Sequence, residues 1–204
     1  AEGKGSRLGV LAERSHDLAI GLNVHYDSEA DGTFVPLGIQ EIFALWARPV
    51  NGWSEAETGA LSIEILSVRD LDLLDDDPGP TAARDNQLLL FAFESDPVTG
   101  TIATDANGFL RMEVLSIESL ALTAANTYAV TALRARAGTR NQSTSAANGE
   151  LWIIPAFGIK AFAHADFDQS SSSGFLRLQP FSAFGQRPLA ECANRPFAFA
   201  TSAS

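Results

Sequence analysis

Leu18-Ala19-Ile20-Gly21-Leu22-Asn23-Val24-His25-Tyr26 places an apolar side chain at every second position. Side chains of an extended strand point alternately to its two faces, so this period of two reads as a half-buried strand. Asp31-Gly32 then supplies a turn, because glycine tolerates the positive φ that tight turns demand.

The same pattern repeats along the chain. Residues 34–37 and 39–47 read as apolar strands, the second nearly unbroken and so expected to be buried on both faces. Asn51-Gly52 and Asn107-Gly108 are further turn signals. Leu61, Ile63 and Ile65 alternate with Ser62 and Glu64, and short apolar runs recur at 88–93, 109–115, 128–133, 151–154, 159–163, 175–179 and 197–200. Helical signals amount to a turn or two within 3–14 and 188–193. About ten short strands between turns predict an all-β fold of antiparallel, sandwich-like units.

The stretch 59–73, which opens Gly-Ala-Leu-Ser-Ile-Glu-Ile-Leu-Ser, lines up with 108–122, which opens Gly-Phe-Leu-Arg-Met-Glu-Val-Leu-Ser. Two readings fit: a duplication, or a chance likeness of two amphipathic strands. Duplication predicts two related units starting near 59 and 108, each bending near Ser67 or Ser116. They would lie in a β-rich region 53–204, with 1–52 as an N-terminal β-unit.

Composition bounds the function. The chain of 204 residues is long enough for a sizeable core, and 46% hydrophobic against 19% charged residues is a globular balance. A net charge of −11 argues against binding nucleic acid or anionic membrane through a general field. No run of eighteen apolar residues is present, so no membrane insertion by a helix is expected. A single cysteine, Cys192, excludes an internal disulfide and reads as a packed thiol.

No catalytic, cofactor or metal residues are assigned. His16, His25 and His164 are the only histidines, and none sits in a nucleophile–base arrangement. His164, Asp166 and Asp168 share a strand face and could ligate a metal, but the strand-end reading is preferred. Asp70, Asp72, Asp75, Asp76 and Asp77 raise Ca²⁺ binding, against a solvated acidic loop; the Asp-x-Asp-x-Asp-Gly spacing with a distal Glu is missing there. Phosphate loops and nucleophile elbows are not found. Trp46, Trp152, Phe157, Phe162, Phe167, Phe181 and Phe184 read chiefly as core; Trp53, beside Asn51-Gly52, reads as an exposed contact. Polar loops at 75–86, 140–148 and 169–174 are the expected recognition surfaces.

Four boxes stand in order in the second half. Thr127-Tyr128-Ala129-Val130-Thr131-Ala132-Leu133-Arg134-Ala135-Arg136-Ala137-Gly138-Thr139 comes first. Leu151-Trp152-Ile153-Ile154-Pro155 and Ala161-Phe162-Ala163-His164-Ala165-Asp166-Phe167 follow, then Phe175-Leu176-Arg177-Leu178-Gln179-Pro180-Phe181. The series, within residues 109–199, resembles the β-rich C-terminal part of tail-tip or host-specificity (baseplate hub-like) proteins of long-tailed bacteriophages and gene transfer agents. The resemblance implies a virion structural module that is not an enzyme. It implies assembly with itself and other tail proteins, threefold about the tail axis, and contact with a host receptor or glycan. The alternative expectation is a secreted β-sandwich module, carbohydrate-binding or adhesin-like. Under either, the candidate partner contacts are Trp53, Arg134, Arg136, Asn141, Gln142, Ser170 and Ser171. Arg134 and Arg136 alternate, so they either dock an acidic surface or neutralise Glu113 or Glu118 on a neighbouring strand.

Overall fold

A computed structural model of the chain describes residues 7–50, 58–74, 88–95, 101–104, 110–136, 149–163, 166–167 and 173–198. The protein is all-β and antiparallel, with thirteen strands among the described residues. It divides into two compact units, Ala44–Phe157 and the two-part Ala1–Phe43 with Gly158–Ser204. The division therefore falls at 43/44 and 157/158 rather than at residue 52.

The middle unit is a closed six-stranded barrel. Its strands are β4 (Leu45–Pro49), β5 (Thr58–Ile65), β6 (Leu88–Phe93), β7 (Met112–Ala124), β8 (Thr127–Arg136) and β9 (Glu150–Pro155). The order around the barrel is β4-β5-β8-β7-β6-β9. Alternation fills the interior: Leu45 and Ala47, Leu61, Ile63 and Ile65, Leu88, Leu90 and Ala92, Leu115 and Ile117, Val130 and Ala132, Leu151 and Ile153 form one buried cluster. Six strands leave no lumen once such side chains point inward. The 3₁₀ turn Leu71–Leu74 adds Leu74 to the same core.

The suggested duplication does not map onto equivalent positions. Gly59 aligned with Gly108 sets Ile63 and Ile65 beside Met112 and Val114. Ile63 and Ile65 face the barrel interior, but in β7 the interior positions are Leu115 and Ile117, one residue out of phase. A one-residue offset puts side chains on opposite faces of a strand. β5 ends at Ile65, before Ser67, whereas β7 runs on past Ser116 to Ala124. Both segments belong to one barrel, flanking β8, and not to two units.

The two-part unit holds a five-stranded sheet and a short ribbon. Strands β2 (Gly21–Asp27), β3 (Val35–Gln40), β11 (Ser173–Ser182) and β12 (Gly185–Gln186) lie in the order β12-β11-β2-β3, and β13 (Arg195–Ala198) also pairs with β11. The ribbon joins β1 (Arg7–Gly9) to β10 (Ala161–Ala163). Its inner cluster contains Val10, Val24, Phe162, Phe167 and Leu176; Ala19, Leu22 and Phe43 form a second, smaller one. Edge strand β3 carries Pro36 and a register shift against Val24 and His25, features that discourage pairing with another chain.

Several strand expectations are corrected. The alternation from Leu18 becomes strand only from Gly21, and Leu18 and Ile20 are exposed. The run 39–47 is broken: β3 ends at Gln40, β4 begins at Leu45, and Ile39 is exposed. Gln40 explains the break, because its buried amide donates to the carbonyls of Ile42 and Gly158 and accepts from the Lys160 N–H. The expected helical turn within 3–14 instead contains strand β1, while that at 188–193 is the 3₁₀ turn Leu189–Glu191.

Candidate functional site

The outer face of the β2–β11 pair gathers polar side chains that the alternation places together. Opposite residues of an antiparallel pair share a face. Leu176 opposite Tyr26 and Leu178 opposite Val24 turn inward, so Arg177 opposite His25 and Gln179 opposite Asn23 turn outward. Gln179, only 4% exposed, organises this face. Its Nε2 donates to the Arg187 carbonyl at 2.7 Å, which fixes the amide orientation. Its Oε1 then accepts from Asn23 Nδ2 and from His25 Nε2, both at 3.2 Å. The donor at His25 is therefore Nε2–H, and Nδ1 is buried without a partner.

This network grips the chain segment after β11. Asn23 Nδ2 also donates to Gln186 Oε1 at 3.1 Å. Arg177 donates to Asn194 Oδ1 at 2.7 Å and to the Leu189 carbonyl at 3.4 Å, and its guanidinium lies 4.1 Å over the Phe34 ring. Cys192 is buried under this segment with Sγ 3.7 Å from the Pro188 carbonyl. Burial pushes its thiol pKa up; Arg187 and Arg177 pull it down, and Glu191 adds to the rise.

Where β11 turns into β12, an open cleft of about 420 Å³ is lined by His16, Ser182, Phe184, Gln186, Arg187 and Glu191, together with Pro180 and Gly185. The hairpin tip is fixed locally. Ser182 Oγ accepts the Phe184 N–H and donates to the Gly185 carbonyl, both at 3.2 Å, and Gly185 takes φ +136°. Phe184 is left 86% exposed at this tip. Arg187 Nε stands 3.5 Å from Glu191 Oε2.

A second surface feature lies on the outside of the barrel. Trp46 sits opposite Trp152, and Trp152 opposite Phe91, so three adjacent strands carry an aromatic row. Trp46 is 40% exposed, and Trp152 and Phe91 are half-buried. Trp152 Nε1 donates to Glu150 Oε1 at 2.6 Å, and Arg48 pairs with Glu64 across β4–β5.

The aromatic set thus splits. Phe162 and Phe167 are core as expected, whereas Trp46, Phe157 and Phe184 are exposed. Trp53, Asn141, Gln142, Ser170 and Ser171 lie outside the described residues, as do His164, Asp168, Asp75, Asp76 and Asp77. Ser173 and Gly174, expected in a polar loop, open β11. The backbone of Arg134 and Arg136 belongs to β8. Leu133 faces Ser116 and Arg136 faces Val114, so three steps on β8 span two on β7. The side chains of Arg134 and Arg136 lie outside the described ones. Of their expected partners, Glu113 is buried opposite Ala92 and Glu118 is half-buried. No group of three metal-ligating side chains occurs among the described residues. One polar anchor escaped the sequence reading: Asp27 is buried and its Oδ2 accepts the Gly32 N–H at 2.9 Å, shaping the Asp31-Gly32 turn.

Neither family models nor curated proteins nor solved structures give a match to this chain.

Proposed function

We propose that this chain is a non-enzymatic structural module of a phage-type tail tip that assembles with copies of itself and contacts the host surface. The observation that carries the assembly part is the aromatic row Trp46–Trp152–Phe91 on the outside of the barrel. A closed barrel has no free strand edge to extend, so a partner must be met by its outer side chains. Partly exposed aromatic side chains are the groups most enriched in such contacts. The boxes behind the tail-tip resemblance overlap β8, β9, β10 and β11, which supports the architectural reading. Threefold symmetry is part of the proposal through that resemblance.

Imaging purified tail particles by cryo-electron microscopy tests the assignment. The expected result is density for this chain at the distal tail; its absence from every virion or tail-like particle overturns the reading. Light scattering of the isolated chain tests assembly, with a concentration-dependent oligomer expected that Trp46→Ser weakens.

The second reading, a secreted carbohydrate-binding or adhesin-like module, is favoured by the Phe184 cleft. A signal sequence encoded upstream of Ala1, with no tail genes nearby, would select it.

A further inference from the structure

We infer that the Phe184 cleft binds a neutral saccharide, with one pyranose ring laid on Phe184 and its hydroxyls held by Gln186, Arg187 and Glu191. This deepens the surface-contact part of the proposed function and needs only the geometry of the two-part unit.

The lining chemistry selects the ligand class. Phe184 presents an apolar ring, 86% exposed, on a hairpin tip fixed by Ser182. Beside it stand an acceptor, the Glu191 carboxylate, and donors, the Arg187 guanidinium and the Gln186 amide. Gln186 Oε1 accepts from Asn23 Nδ2, which leaves its Nε2 as the donor it can offer a ligand. A purely apolar ligand would strip water from these groups without replacing its hydrogen bonds. An anion meets a cation already compensated, because Arg187 Nε lies 3.5 Å from Glu191 Oε2, and the chain carries −11 net charge. A pyranose satisfies both demands: its axial C–H groups form an apolar face, and each hydroxyl both donates and accepts.

The wall is preorganised, which reduces the ordering cost of binding. The Arg187 N–H donates to the Pro180 carbonyl at 3.1 Å, and the Arg187 carbonyl accepts from buried Gln179. Asn23 and Gln179 act as positioning residues: they touch no ligand but set the place of Gln186 and Arg187. Gln179→Ala should therefore weaken binding although its side chain is buried beneath the cleft.

Saturation-transfer NMR with a panel of methyl pyranosides of glucose, galactose, mannose, rhamnose and N-acetylglucosamine provides the test. Transfer to at least one sugar is expected, strongest at its ring C–H protons. Phe184→Ala should weaken binding about tenfold, or 1.4 kcal/mol, and Glu191→Gln should weaken it as well, both with an unchanged melting temperature. No transfer to any member of the panel overturns the inference, as does binding that survives both substitutions. A preference for uronic or sialic acids that Arg187→Gln abolishes and Phe184→Ala leaves intact overturns it in favour of anion binding. A chain absent from tail particles that still binds a pyranoside through Phe184 refutes the tail assignment and leaves this site standing. A tail component that binds none does the reverse.

Discussion

The barrel and the two-part sheet unit solve the same problem, covering the polar backbone of antiparallel strands, in opposite ways. The barrel closes on itself and fills its interior with one apolar cluster from all six strands. The sheet unit divides its apolar residues between two small clusters and binds its outer face through Gln179, Asn23, His25 and Arg177. That contrast separates where packing and where function reside. Barrel-interior side chains are committed to packing, whereas the polar network of the sheet unit holds an open cleft in place.

The largest loss of stability is expected in the barrel. Leu90→Ala removes a fully buried side chain from the middle of β6 and should cost about 2–5 kcal/mol. Chemical denaturation should show the loss; a cost no greater than that of a surface substitution would mean that the barrel interior is not the stabilising core.

Gln179→Ala probes the sheet unit. It removes the Gln179 partner of the Arg187 carbonyl and of His25 Nε2, at about 1–3 kcal/mol. The crystal or NMR structure of the variant should show the 185–194 segment displaced. A fully stable variant with that segment in place would make the network ornamental.

Cys192 sharpens the contrast through pH. Its thiol pKa is raised by burial, so its stabilising contribution is complete below the unfolded thiol pKa and lost as pH rises through the folded one. Denaturation midpoints should fall on the alkaline side, and Cys192→Ser should flatten that fall. Native-state alkylation should be slow at neutral pH and fast after unfolding.

The smallest effect belongs to Phe184→Ala. A side chain 86% exposed should contribute less than about 0.5 kcal/mol to folding. A melting temperature lowered as far as by Leu90→Ala would place Phe184 in a core.

The sequence made the strands legible, because alternation is a local property: Leu22, Val24 and Tyr26 announce β2 without any knowledge of their partners. Partnership was not legible. β5 meets β8 and β4 meets β9 through registers between distant segments, and no local pattern encodes that closure. For the same reason a repeat in letters between 59–73 and 108–122 concealed a phase difference in space. The break at 41–44 was invisible because Gln40, which makes it, is a polar residue whose three partners lie on other segments or just beyond it. The cleft left a fainter trace. Asn23, His25, Arg177 and Gln179 are the polar half of alternations read mainly for their apolar half. Phe184 precedes Gly185 at a turn, a place where an aromatic ring has no core to enter.

The division at 43/44 and 157/158 has a consequence for synthesis. β2 emerges from the ribosome long before β11, its neighbour on one side, since Asp27 pairs with Phe175. At about 5–20 residues per second the wait is on the order of ten to thirty seconds. Throughout it the barrel sequence can collapse on itself while β2 and β3 stand as a hairpin with one unfilled edge. Until β11 arrives, that edge is open to pairing with another chain, so the order of synthesis leaves β2 exposed to misassembly.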